Sequence, residues 1–166
     1  MVPYDGLHQL LENGEVDVVL DFEGFGRRGT TFTPLVQVEA VCLCPAVSPL
    51  LEREAVWARD LEDMPVALTR PRFATDRMHD LHHELIGNRA PQDQYICESV
   101  EAALTLARAG LAVSVQPAIS VPPDIPSVPF RGVAATSFGL YTTGGAPAGL
   151  AREFHDLLRE SIGDRR

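Results

Sequence analysis

Apolar positions along the chain follow two spacings, one helical and one extended. Leu7, Leu10 and Leu11 share a helical face, and Asn13-Gly14 stops that helix. Val16 to Leu20 is almost wholly apolar, which predicts a strand buried on both faces of a parallel sheet. Residues 24–34 hold three Gly, three Thr and a Pro and read as a loop. Alternation at Val36, Val38 and Ala40 predicts a strand from Leu35 to Leu43, stopped by Cys44-Pro45. Trp57 and Leu61, four apart, predict a short helix before Met64-Pro65.

The second half repeats the alternation. Val66–Thr69 is a compact strand, and Thr75 can cap a helix carrying Met78, Leu81, Leu85 and Ile86 on one side. Gln94–Cys97 is a strand. Ser99 then caps a helix with Val100, Ala103, Leu104 and Ala107 facing inward, closed by Gly110. Ala112–Val115 is the next strand. Five prolines within 117–129 predict a linker without regular structure. Ser137–Tyr141 is a strand, and Leu150, Phe154, Leu157, Leu158 and Ile162 form an inward stripe on a last helix. Strands alternating with helices imply an α/β fold with mostly parallel sheets. The chain is expected to cross between lobes near 35–44 and near 117–129.

Composition narrows the function. The 166 residues fit one domain or two small lobes. No apolar run approaches the roughly 18 residues of a membrane span, so no membrane partner is expected. The N-terminus, MVPYDGLHQLLENGEVD, has no basic start followed by an apolar stretch, so a cytoplasmic protein is expected. Net charge is −9, with 23 acidic residues against 14 arginines and no lysine. A phosphate backbone is repelled by that balance, and this chain by itself is not expected to bind DNA. Cys42, Cys44 and Cys97 are too few and too widely spaced for a disulfide framework. Cys42 and Cys44 alternate on one face of a strand and read as buried free thiols.

Two motifs imitate chemistry. Gly24-Phe25-Gly26-Arg27-Arg28-Gly29 matches the G-x-G-x-x-G fingerprint after a strand. A dinucleotide site also needs a helix to begin at the third Gly, so that its N-terminus holds the pyrophosphate. Thr30-Thr31-Phe32-Thr33-Pro34 does not open a helix, and a Gly-rich loop is the better account. His79, His82 and His83 lie at i, i+3 and i+4 of a helix, near Glu84, where zinc could use neutral imidazoles. The spacing is not that of a zincin, and Met78, Leu81 and Leu85 fill the inward face, so the histidines are expected on a polar outer face. No nucleophile elbow, phosphate loop or C-x-x-C is present; neither catalysis nor a cofactor or metal is expected.

Four stretches carry a family resemblance. Leu10 to Leu20 is similar to a leucine-x-x-Gly-acid-Leu-Asp-Leu-Ala segment. Pro34 to Pro49, with Glu39 ahead of Ala40–Pro45 and then Ser48-Pro49-Leu50, is similar to a crossing strand followed by a His-Pro-Leu turn, with Ser48 in the place of His. Leu61 to Leu68 is similar to an Asp-Leu-x-x-x-Pro-Leu-Ile segment. Glu98 to Pro117 is similar to a segment with Gly-Leu-Gly-Val before a Pro, with Ala112 in the place of the second Gly. In that order they resemble the effector-sensing domain of LysR-type transcriptional regulators.

The resemblance implies two Rossmann-like lobes joined by crossing strands, as in type 2 periplasmic binding proteins. Residues 1–41 with 133–166 would form the first lobe, incomplete at its start, and 42–132 the second. A small-molecule effector would lie between them, and promoter DNA would be met only through a winged helix-turn-helix, with its linker helix, that this chain lacks. Homo-oligomerisation is possible in such regulators. The rival reading is a solute-binding protein for transport, which shares the architecture but needs export.

Strand ends supply the ligand-binding candidates. Asp21 and Phe22 end one strand. Thr69 and Arg70 end another, followed by Pro71, Arg72 and Phe73. Glu98 and Ser99 stand where a strand meets a helix N-terminus. An Arg in that position forks two hydrogen bonds to a carboxylate, so the expected effector is a small organic anion.

Overall fold

A computed structural model describes residues 6–70, 76–87 and 89–163. The chain divides into two compact units, residues 1–37 with 136–166 and residues 38–135.

The first unit holds helix α1 (Leu7–Glu12) and strands β1 (Val19–Phe22), β2 (Thr30–Val38) and β8 (Thr136–Thr143), in the sheet order β1-β8-β2, and ends in helix α4 (Leu150–Gly163). β1 runs antiparallel to β8, with Val19 opposite Tyr141 and Phe22 opposite Phe138. The strand expected at 16–20 therefore begins three residues later and is not part of a parallel sheet. Its burial alternates, as in an antiparallel edge strand with one covered face: Val19 and Asp21 are buried and Leu20 is exposed. Leu11, Val19 and Tyr141 form the small core, with Leu7, Val16 and Phe32 packed on it.

The expected loop at 24–34 is shorter than its composition suggests. Thr30 to Pro34 belongs to β2, because Thr and Phe favour a pleated, half-covered surface. The strand expected to run to Leu43 breaks at Glu39 into β2 and β3 (Ala40–Leu43).

The second unit contains β3, β4 (Val66–Thr69), α2 (Asp76–Ile86), β5 (Gln94–Cys97), α3 (Val100–Arg108), β6 (Ser114–Pro117) and β7 (Ser127–Pro129). β3 lies between β6 and β7, antiparallel to both. β4 and β5 are parallel. The two sheets meet where Val66 bridges Val113: Ala67 N–H donates to the Val113 carbonyl at 2.8 Å and Val113 N–H to that of Pro65 at 2.9 Å. The pairing is thus mixed, against the mostly parallel expectation. Every residue of β4 is buried, as a central strand covered on both faces requires.

Alternate residues of β4 serve opposite layers. Val66 and Leu68 pack with Met78, Leu81 and Leu85 of α2 in a core that includes Cys42, Cys44, Leu61, Val115 and Phe130. Ala67 packs with Ala103 of α3, Cys97 and Ala112. Small residues there let α3 approach the sheet closely.

Three further expectations are corrected. Residues 117–129 are not a linker: they lie within the second unit and include a 3-10 turn, Ala118–Ser120, and β7. Proline is tolerated in β7 because Pro129 stands at its end, where its carbonyl still accepts from Val56 N–H at 2.9 Å. The helix expected around Trp57–Leu61 is a 3-10 turn, Ala58–Leu61, preceded by another, Pro49–Glu52. On α4 the covered row is Ala151, His155, Leu158 and Ile162, whereas Leu150, Phe154 and Leu157 are exposed. Two apolar rows lie side by side on this helix, and only one is covered by the described chain. Thr75, the expected cap of α2, lies outside the described residues.

Candidate functional site

The parallel pair β4–β5 fixes where four of the expected ligand-binding residues stand. Thr69 pairs with Cys97 at the carboxyl ends of the two strands, so the next residues, Arg70 and Glu98, leave the sheet together. Arg70 N–H donates to the Cys97 carbonyl at 3.1 Å. The Arg70 guanidinium then donates through Nε to Glu98 Oε1, both side chains being about half exposed. Ser99 follows in extended conformation, and its hydroxyl accepts from Ala102 N–H at 3.3 Å, the N-cap of α3. The cluster of Thr69, Arg70, Glu98 and Ser99 therefore combines a guanidinium, a carboxylate, a hydroxyl and the positive end of a nine-residue helix.

Phe73 lies outside the described residues, as do Pro71 and Arg72. Asp21 and Phe22 belong to the first unit. Asp21 is buried there and meets His8 Nε2 at 3.0 Å through Oδ2, while Oδ1 accepts from Phe22 N–H at 2.8 Å. Phe22 stacks edge to face on Phe138, with ring centroids 5.2 Å apart. Its carbonyl accepts from the Tyr141 hydroxyl at 2.8 Å, and that hydroxyl accepts in turn from Gly24 N–H at 3.1 Å.

Those contacts explain the glycine-rich motif. A Cβ at Gly26 would stand 2.3 Å from the Tyr141 ring, so the loop has no room for a side chain there. The glycines shape a turn around Tyr141, and β2, not a helix, follows.

His82 is what the reading of α2 missed. It is buried, not on the outer face, and its Nε2 has no hydrogen-bond partner among the described residues. Burial, reinforced by the neighbouring His79 and His83, pushes its pKa down to about 4, against which a hydrogen bond with the Thr69 backbone acts. A neutral imidazole thus lies beneath the strand end that carries Arg70. The signal was in the sequence: Met78, Leu81, His82 and Leu85 occupy i, i+3, i+4 and i+7 of one face. His79 and His83 stack on each other at 4.7 Å. No group of three metal-ligating side chains occurs among the described residues.

The thiols of Cys42 and Cys44 are buried and free, with sulfurs 3.9 Å apart. The contact polarises the pair: Cys42 is held above the usual thiol range by its hydrogen bond with Cys44, and Cys44 is held below it by the same bond. No helix among the described residues is long and apolar enough to cross a membrane.

The sequence matches the family model of the LysR substrate binding domain over residues 1–163. No curated protein sequence matches it. Among solved structures, reduced OxyR from N. meningitidis is similar with a TM-score of 0.70 at 21% identity, over 95% of this chain and 76% of that one. The reduced OxyR regulatory domain from Pseudomonas aeruginosa gives 0.70 at 22%, over 93% and 77%. The BenM effector binding domain, solved with its effector benzoate, gives 0.74 at 17%, over 99% and 77%. At these identities the likeness establishes the fold, the two-lobed α/β architecture of type 2 periplasmic binding proteins.

Proposed function

The chain belongs to the LysR substrate-binding domain family, and from that premise we propose that it senses a small organic anion, a carboxylate, for a transcriptional regulator. In this reading residues 1–37 with 136–166 are the partial first lobe and residues 38–135 the second. The observation that carries it is the cluster at the end of β4 and β5. Arg70 offers a planar donor pair, Ser99 and the start of α3 offer hydroxyl and backbone donors, and Glu98 holds Arg70 until a ligand competes for it. Asp21, engaged by His8, acts by shaping its own unit. BenM, with benzoate as its effector, is a precedent for the ligand class.

The domain performs no catalysis in this reading; ligand binding shifts a conformational balance that a DNA-binding head reads out in the full regulator. It works in the cytoplasm, and promoter DNA is contacted by that head, not by this acidic chain. In this reading the regulator can form homo-oligomers. The transport reading is not favoured by the family match.

A thermal-shift panel of small carboxylates, amines and neutral metabolites tests the proposal. A ligand that binds only the folded state at about 100 times its Kd adds roughly 2.7 kcal/mol. At least one carboxylate should raise Tm in the wild type and fail to do so in Arg70→Ala. Stabilisation by amines alone, or by every stabilising acid equally in Arg70→Ala, overturns it.

A further inference from the structure

A second cleft lies wholly within the second unit, and none of its lining residues belongs to the cluster at Arg70. Its volume is about 180 Å³, and Trp57, Arg59, Leu81, Glu84, Phe130 and Arg131 line it. Backbone pairing builds it. Val56 forms a parallel bridge with Phe130, and Arg131 N–H donates to the Val56 carbonyl at 2.8 Å. This places Trp57 and Arg131 each one residue past the bridge. Gly132 then turns the chain at φ +99°, which an L side chain rarely adopts, and brings its backbone beside the indole.

The walls are fixed. Trp57 N–H donates to Asp60 Oδ2 at 2.8 Å, and Asp60 N–H to the Trp57 carbonyl at 2.9 Å, so the turn that carries Arg59 is locked. Arg59 lies over the indole at 5.3 Å, a cation–π contact, and makes no ion pair among the described residues. Arg131 gives Nη1 to Glu39 at 3.1 Å, which leaves other N–H groups of its five for a ligand. Phe130 and Leu81 are buried and make an apolar floor, while Trp57 is 40% exposed. Part of the indole is thus left in water, with Arg59 over it and Arg131 lining the same cleft.

We propose that this cleft is a second ligand site, taking a small planar carboxylate with its ring against Trp57 and its carboxylate on Arg59 and Arg131. The volume is below the roughly 300 Å³ at which drug-sized pockets begin, so a molecule of one ring fits and a larger one does not. Aromatic stacking and charge-assisted hydrogen bonds from guanidinium supply the recognition. Glu84, which also lines the cleft, disfavours a second negative charge on the ligand. It shares no lining residue with the cluster at Arg70.

Trp57 is the only tryptophan, so tryptophan fluorescence reads the surroundings of this one indole. The intact 166-residue chain is titrated with benzoate, benzamide and benzylammonium. Benzoate should change the emission saturably, and the other two should not. Arg59→Gln and Arg131→Gln should each weaken the benzoate response about tenfold or more, as expected for a lost hydrogen bond to a charged group. Arg70→Ala should leave it within about twofold, and Glu84→Gln should strengthen it. Circular dichroism melts verify that each variant is folded. An unchanged emission with benzoate, an equal response to benzamide, or loss of the response in Arg70→Ala overturns the proposal. The last outcome would assign benzoate to the strand-end cluster and leave the reading of that cluster intact; a benzoate response with no Arg70-dependent thermal shift would do the opposite.

Discussion

His8 and Asp21 meet at 3.0 Å inside the first unit, a helix residue and a strand residue both almost fully removed from water. The pair ties α1 to β1, and Asp21 Oδ1 also accepts from Phe22 N–H. Removing one member of a buried pair leaves the other with an unmet polar atom. Asp21→Ala should therefore destabilise the chain by about 3 kcal/mol, lowering Tm by roughly 10 °C. Asp21→Asn, which keeps an acceptor, should lose less. Thermal melts by circular dichroism check both. A Tm within a degree of wild type for Asp21→Ala would show that the pair contributes nothing.

His82 makes stability depend on pH. Its folded pKa, about 4, is below the ordinary 6.5. Between those values the unfolded chain takes up a proton that the folded chain refuses, so stability falls as pH drops from about 6.5 to 4. Above 6.5 the group contributes no pH dependence. At full expression the loss is roughly 3 kcal/mol. His82→Leu should flatten the stability profile across that window and melt higher than wild type at pH near 5. Urea denaturation at stepped pH measures it, and identical slopes for the two proteins would contradict it.

Arg89 closes the C-terminal end of α2. Its guanidinium donates to the carbonyls of Leu85, Leu61 and Met64, joining the helix end, the 3-10 turn and the start of β4. Its own carbonyl accepts from Gln94 Nε2 at 2.6 Å. A single point charge cannot span three carbonyls held in a fixed fan. Arg89→Lys should cost nearly as much as Arg89→Ala, about 3 kcal/mol in each case. Full rescue by lysine in chemical denaturation would show that charge alone matters.

The outer row of α4, Leu150, Phe154 and Leu157, is exposed. Exposed rows of this kind promote association. Phe154→Ser with Leu157→Ser should leave Tm within about 2 °C, since neither side chain is in a core, and should raise the concentration at which the protein stays monodisperse. Light scattering against concentration decides it; a large drop in Tm would mean that the row is covered.

Legibility followed how local the cause was. Ser99 reads as a cap from its own neighbours, and Val66–Thr69 as a strand from a bare apolar run; both depend on contacts a few residues away. Strand direction did not read, because the partner of β1 is β8, more than a hundred residues later. Thr30–Pro34 was hidden by the glycines and proline around it, although its Thr and Phe suit a strand once β8 lies alongside. Thr69, Arg70, Glu98 and Ser99 were legible as strand ends. The Arg70–Glu98 ion pair was not, because it depends on a parallel register that no local pattern specifies. The Trp57 cleft escaped for the same reason: the bridge from Val56 to Phe130 spans residues far apart in the chain.

The second unit is one uninterrupted stretch, residues 38–135, set between two segments of the first. Its entry and exit strands are adjacent, and Gln37 Nε2 donates to Ser137 Oγ at 2.8 Å. During synthesis β1 waits for its β8 partner, which emerges more than a hundred residues later. The inserted unit is complete earlier and should fold first, so the usual N-to-C order of domain folding is reversed here. Until residue 143 has been translated, Val19–Phe22 lack the β8 ladder that pairs them in the fold.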